Sequence, residues 1–259
     1  MQEERDILVE KEGAVLTVTF NRVRQRNAMT WEMYHGLYDA CEQADADPQI
    51  RAMVLRSSSE KAFIAGTDIT HFQSFDGGQD GLTYETSIGR CVNRLEDVDV
   101  PTVAAVQGYC VGGGLAIASV CDLRVATPSA RFGAPIARTL GNCLSMNTYS
   151  ILLTQVGPSV ALDMLLRARM VTGEEAKALG YVAELVDDEG FDACVSEVTD
   201  TLLAHAPLSM WAAKESMRRF RRANVPWGDD IVQRVYASQD FAHGVEAFTS
   251  KGKPTWEGR

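Results

Sequence analysis

Two segments of this 259-residue chain place glycines where a strand gives way to a helix. The first is Lys61-Ala-Phe-Ile-Ala-Gly-Thr-Asp-Ile69. Gly66 lets the backbone approach a ligand, and the amide of Thr67, beside a helix N-terminus capped by Asp68, points outward as a donor to an anion. The second is Gln107-Gly-Tyr-Cys-Val-Gly-Gly-Gly-Leu-Ala116. Its three consecutive glycines are entropically unfavourable unless backbone access is needed. Leu115, Ala116 and Ile117 follow Gly114, so the third glycine of a dinucleotide fingerprint is missing, and no Gly-Lys-Ser/Thr makes the segment a phosphate loop. Donors at two helix N-termini are what an oxyanion hole requires, with amides fixed in advance around an oxygen that gains charge.

The elements around these turns read as an α/β series. Ile7–Glu10 and Val15–Phe20 have strand character, with a turn at residues 11–13. Thr30 caps a helix whose stripe runs Tyr34, Leu37, Tyr38, Cys41 and Asp45, and Asp47-Pro48 ends it. Strands are expected at residues 52–55, 102–106, 123–126 and 183–186, with helices near Tyr84–Leu95 and up to Val120. Thr172 and Glu175 form a capping box, and Gly180 sits at the C-terminal cap of that short helix. Pro207 breaks the chain, and amphipathic helices are expected near Ser209–Arg221 and Ile231–Phe248. The pattern gives a core over residues 1–195 and a helical C-terminal region over 196–259, whose apolar faces need a surface to cover.

Composition narrows the function. Twenty-five Lys and Arg against 35 Asp and Glu leave a net charge of −10 and a pI near 4.9. An acidic excess spread along the chain disfavours nucleic acid as a partner. No run of about 18 apolar residues occurs, which disfavours a membrane span. Six widely spaced cysteines without a Cys-x-x-Cys pair suit a reducing compartment. The charged start Met1-Gln-Glu-Glu-Arg5 has no apolar segment after it, so a cytoplasmic location is expected. His35, His205 and His243 lack metal-ligand spacing and read as structural, so no metal is expected.

With these segments in view, the whole chain resembles the crotonase superfamily, also called the enoyl-CoA hydratase/isomerase family. Asn21-Arg-Val-Arg-Gln-Arg-Asn-Ala28 is similar to its first coenzyme A segment, with Val23 where proline is usual. Residues 62–68 are similar to the second, and Gly108 to Asp122 to the third. Glu246-Ala-Phe-Thr-Ser-Lys251 resembles the C-terminal element, which reaches coenzyme A, commonly from a neighbouring subunit. The resemblance implies the crotonase (ClpP/crotonase-like) spiral of ββα units with a C-terminal helical trimerisation region, and a trimer or dimer of trimers. It further implies that backbone near Ala28 and Ala65 holds adenine, that the amides of Thr67 and Gly113 form the hole, and that Phe248 and Lys251 contact the nucleotide. Arg24 and Arg26 would join Lys251 in offsetting phosphate charge. The substrate would be an acyl-CoA thioester, with coenzyme A entering as part of the substrate and no permanently bound cofactor.

The pattern departs from the family's hydratases at their two glutamates. Ala116 and Ile136 occupy the corresponding positions, and no Asp or Glu occurs between Arg124 and Val156. His71, four residues past Thr67, is the substitute acid or base that sequence spacing offers. Arg138, Asn142 and Cys143 fall near the second missing glutamate, where they could bind a carboxylate, orient water or attack. An enoyl-CoA hydratase/isomerase-type enzyme is expected, with a thioester decarboxylase or hydrolase, or a non-catalytic acyl-CoA-binding protein, as alternatives. Since a positioned acid or base contributes about 10² to 10⁴ in rate, crotonyl-CoA hydration should run orders of magnitude below a two-glutamate enzyme. Steady-state assays beside Ala116→Glu and Ile136→Glu check this, and rapid wild-type turnover would refute it.

Overall fold

The computed structural model describes residues 5–259, so the first four residues of the charged start lie outside the described part. Its elements run β1 (Ile7–Glu12), β2 (Val15–Phe20), a 3₁₀ turn (Val23–Gln25), α1 (Trp31–Ala46), β3 (Ala52–Ser57), β4 (Ala62–Ile64) and a 3₁₀ helix (Ile69–Ser74). Next come α2 (Gly78–Asp97), β5 (Thr102–Val106), β6 (Tyr109–Val111), α3 (Gly113–Val120), β7 (Leu123–Ala126), β8 (Arg131–Gly133), α4 (Ile136–Thr139) and α5 (Met146–Leu166). The chain ends with β9 (Val171–Thr172), α6 (Gly173–Ala178), β10 (Glu184–Leu185), α7 (Phe191–Ala204), α8 (Pro207–Arg222), α9 (Asp229–Tyr236) and α10 (Gln239–Thr249).

The strands form two sheets. One has the order β1-β2-β3-β5-β7-β10 and is parallel apart from the first hairpin, and the other has the order β4-β6-β8-β9. Side chains alternate faces along a strand. Met53 and Leu55 of β3, with Ala104 and Val106 of β5, therefore enter the main core with α1, α2 and α3. Val54, Val103 and Ala105 face the other way, onto Phe191 and Val195 of α7. The pairs β3–β4, β5–β6 and β7–β8 each carry the chain from the large sheet round to the small one before a helix follows. Repeated three times, this unit is the expected ββα spiral.

The four strands of the small sheet lie beyond the sequence expectation, because two or three residues display no periodicity. The capping box at Thr172 and Glu175 forms. The single tail helix expected to end at Phe248 is instead two. Ser238 accepts from the Phe241 amide and starts α10 afresh. α5, which the strand-oriented reading omits, has the length and mean hydropathy (1.3) of a membrane span. Gly157, at φ 77°, breaks it beside Pro158, leaving two segments that each fall short of the ~20 residues a crossing requires.

The tail returns to its own core. α9 lies along α2 so closely that a Cβ on Gly81 would come within 2.3 Å of the Tyr236 ring, and one on Gly78 within 2.4 Å of the Gln233 carbonyl. Overpacking of this kind costs about 1 to 3 kcal/mol. Gly81→Ala should therefore lower the unfolding free energy by about that amount, measured by urea titration, whereas Gly89→Ala on open helix surface should not destabilise.

Candidate active site

β4 and β6 are adjacent and parallel, with Ala62 beside Tyr109 and Ile64 beside Cys110. Their C-terminal ends therefore lie together, and so do the turns that leave them. After β4 the chain passes Gly66 (φ 101°), and Met29 pairs with Thr67 as an isolated bridge. The Met29 amide donates to the Gly66 carbonyl at 2.9 Å and the Asp68 amide to the Met29 carbonyl at 2.9 Å. This leaves the Thr67 amide between them without an acceptor among the described residues. After β6, Gly112 adopts φ 55° and its amide donates to the Gly133 carbonyl at 3.0 Å, while Gly113 begins α3 with its own amide free, as helix N-termini require. A Cβ on Gly113 would stand 3.4 Å from Thr67 Oγ1, which measures how closely the turns approach.

Thr67 is held by two buried tyrosines. The hydroxyls of Tyr34 and Tyr84 each lie 2.8 Å from its Oγ1, and Cys91 Sγ donates to the Tyr34 carbonyl at 3.3 Å. Arg22 ties the segment of residues 21–28 to the first glycine turn, donating to the Ala28 carbonyl at 2.9 Å and to Asp68 at 2.7 Å. Burial pushes the Asp68 carboxyl up, but the hydrogen bonds from Thr70 and Arg22 outweigh it and hold the group below the usual carboxylate range. Neither Arg22 nor the two tyrosines stood out in the sequence, because each acts on a segment distant along the chain.

Thr67 and Gly113 open onto a cavity of about 170 Å³. Its walls are mostly apolar and include Phe72, Ile88, Ala116, Ile136 and Leu144. Ala65 lies on this cavity too, and so does Phe248 from α10 of the same chain, so the tail reaches the site without a neighbouring subunit. Ala28 is tied in through Arg22. Arg24, Arg26 and Lys251 are exposed, with Arg26 lying 5.7 Å over the Tyr109 ring and Lys251 in a left-handed conformation (φ 57°) just past α10.

His71 is not in the cavity. The segment after Asp68 winds as a 3₁₀ helix, in which residues three apart share a face. Ile69 and Phe72 take the cavity side, and His71 turns to the opposite groove, 5.1 Å from the Trp31 ring. Burial lowers its pKa. Asp68 and Arg22 act in opposite directions on it. Arg138 is also outside the cavity, exposed on α4. Cys143 is buried and its thiol is pushed up to about 12, which removes the thiolate a nucleophile needs. No His, Cys, Asp and Glu group with metal-site geometry occurs among the described residues.

Glu85 of α2 is the one carboxyl on the cavity wall among the described residues. It is buried, accepting the Ser145 amide at 2.9 Å and the Tyr236 hydroxyl at 2.8 Å. The Tyr236 hydroxyl lies 3.4 Å from the Cys143 carbonyl as well, and it accepts from Asn142 Nδ2 at 3.3 Å. Asn142 Oδ1, buried on the same wall, has no partner. Glu85 lies on α2, away from positions 116 and 136 where the family's glutamates are expected, so the motif resemblance did not point to it. The available signal was a carboxylate next to Tyr84, one turn before Ile88, on the apolar stripe of the helix.

The profile of the enoyl-CoA hydratase/isomerase family matches residues 10–259. The chain belongs to that family. It is 32% identical over 262 residues to an enoyl-CoA hydratase of Mycobacterium tuberculosis, covering 98% of this chain and 97% of the relative. It is 26% identical over 252 residues to the short-chain-enoyl-CoA hydratase of Clostridium acetobutylicum, covering 96% of each. Among solved structures, an enoyl-CoA hydratase/carnithine racemase from Magnetospirillum magneticum superposes with a TM-score of 0.81 at 31% identity, over 99% of this chain and 97% of that one. Methylmalonyl-CoA decarboxylase in complex with 2-nitronate-propionyl-CoA gives 0.90 at 25% identity, over 98% and 99%.

Desolvation raises the Glu85 pKa to about 7, against the smaller lowering effect of the Tyr236 and Ser145 hydrogen bonds. Tyr34, Tyr84, Tyr149, Cys143 and Tyr236 surround it from four elements and the loop before α5, and Arg90, Arg94, Asp97 and Asp229 share the outer groove on its far side. Folding thus favours the protonated form. Its contribution is complete below the unfolded pKa near 4.5 and is lost as pH rises to about 7. At 1.36 kcal/mol per unit, the change is about 3 kcal/mol. Relative to wild type, Glu85→Gln should gain about that much stability between pH 4.5 and 7.5. Parallel pH profiles in urea unfolding would contradict this burial effect.

Proposed function

We propose that this protein binds a short acyl-CoA thioester with its carbonyl oxygen between the amides of Thr67 and Gly113 and stabilises the enolate formed there. The observation that carries the reading is the pair of unpartnered amides on one apolar cavity, one of them anchored through Tyr34 and Tyr84. Such donors lose no reorganisation energy when charge develops, and removing one typically costs about 10² to 10³ in kcat. Coenzyme A would lie along Ala28 and Ala65, with Phe248 near the acyl entrance and Arg24, Arg26 and Lys251 toward the phosphates. The cavity volume suits an acyl chain of a few carbons. The hydratase relatives favour reaction at a 2-enoyl group.

A specific observation also favours decarboxylation of a 2-carboxyacyl thioester. The TM-score with methylmalonyl-CoA decarboxylase exceeds that with the Magnetospirillum structure, and the reaction passes through the same enolate. Among the described residues no Lys, Arg or His lies on the cavity wall to hold a carboxylate, so a carboxylate there would be poorly solvated and its loss as carbon dioxide favoured. For assembly we propose a trimer or dimer of trimers, supported by exposed Leu208, Met217 and Phe220 on α8.

Calorimetry with acetyl-CoA should show binding below millimolar concentration, and Lys251→Ala should weaken it by about 1 to 3 kcal/mol. Product mass analysis on crotonyl-CoA and methylmalonyl-CoA distinguishes hydration from decarboxylation. For the hole itself, any side chain at 113 would approach the Tyr34 hydroxyl within 2.6 Å, so Gly113→Pro is best made in a Tyr34→Phe background. Turnover about 10²-fold or more below Tyr34→Phe alone is expected. Equal turnover would mean that the hole is unused.

A further inference from the structure

Glu85 and Asn142 stand on the mostly apolar wall of the cavity that receives the acyl group, and both hydrogen-bond to Tyr236 behind it. This cluster does not coincide with either position where Ala116 and Ile136 stand, and it is assembled from α2, α9 and the loop before α5. Its geometry accommodates a carboxyl in both protonation states. When Glu85 is ionised, the Tyr236 hydroxyl can donate to it at 2.8 Å. When Glu85 carries the proton, it can donate to the tyrosine oxygen, and the tyrosine hydrogen can turn to the Cys143 carbonyl 3.4 Å away. The Ser145 amide holds the second carboxyl oxygen at 2.9 Å in either state. Asn142 lines the same cavity, and its Oδ1 is buried without a partner. Glu85 lines the same cavity as the amides of Thr67 and Gly113.

We propose that Glu85 is the catalytic proton carrier of this site, exchanging a proton with the α-carbon of the bound acyl thioester, with Tyr236 as its positioning residue. The inference rests on the thioester reading above. In the forward step the Glu85 carboxylate takes an α-hydrogen as a proton. The C–H electron pair becomes the C=C bond of the enolate, the carbonyl π pair moves onto oxygen between the two amides, and Glu85 becomes neutral. Reversal returns the proton to carbon and regenerates the carboxylate. The same neutral Glu85 can protonate an enolate left by loss of carbon dioxide. Ionisation near neutrality, as burial arranges here, suits a group that must both take and give a proton.

The test uses butyryl-CoA, whose α-hydrogens can exchange while no double bond or second carboxylate is present to react. Wild-type protein in D₂O should incorporate deuterium at the α-carbon, followed by mass spectrometry, at a rate rising with pH as Glu85 ionises. Glu85→Gln keeps the volume and an oxygen for the Ser145 amide, and it should reduce exchange by about 10²-fold or more with butyryl-CoA affinity unchanged. Tyr236→Phe removes the donor to the ionised carboxylate, so it should move the pH midpoint upward. Infrared spectra of carbonyl-labelled butyryl-CoA read the hole separately, as a shift to lower frequency on binding. A retained shift with wild-type exchange in Glu85→Gln overturns the role of Glu85 and leaves the hole intact. A shift with no wild-type exchange overturns it equally, and absence of both shift and exchange overturns the thioester reading with it. If Glu85→Gln does not fold, an unmoved pH midpoint in Tyr236→Phe rejects the proposal.

Discussion

The parallel pairing of β4 with β6 is the constraint on which the rest of the site depends. Two strands that run the same way end at the same edge, so the turns after Ile64 and Val111 emerge together. Each turn starts helical backbone, and helix starts leave amides without intrahelical acceptors. The small sheet is thus less a source of stability than a device for placing two donors side by side. Its stability comes from the larger sheet and the helices behind it, to which β4, β6 and β8 are each joined by a direct corner.

The site also tolerates unfavourable terms that the fold offsets elsewhere. Gly66 and Gly112 occupy left-handed conformations at the two turns, and the Thr67 hydroxyl is fixed by two tyrosines from α1 and α2. Glu85 is buried where ionisation is penalised, yet it retains two hydrogen-bond donors. A buried polar group kept at some expense to stability, on the wall of a ligand-sized cavity, is the pattern in which function opposes stability.

The C-terminal region has a role beyond covering apolar surface. α9 approaches α2 where Gly78 and Gly81 offer no side chain, and that closeness carries Tyr236 to Glu85. α10 then brings Phe248 to the cavity mouth. The division at residue 195 therefore does not separate the site from its tail within the chain, although α8 keeps an exposed apolar face of its own.

The residues themselves made the α/β core, the Thr30 and Thr172 caps and the two glycine turns legible. Periodicity, capping chemistry and glycine's freedom at positive φ act over a few residues and leave a local mark. Ordered motif resemblance extended that to the family and to Thr67 and Gly113. Tertiary structure alone decided what depends on distant segments meeting. Three-residue strands have no period to read, so the small sheet required neighbours to define it. The direction of His71 depended on whether six residues wound with three residues per turn or 3.6. Glu85 looked like one more acid in an amphipathic helix until α9 and the loop before α5 closed over it. Burial and hydrogen bonding, which convert an ordinary glutamate into a group poised near neutrality, are properties of the assembled fold and leave no local signature in the chain.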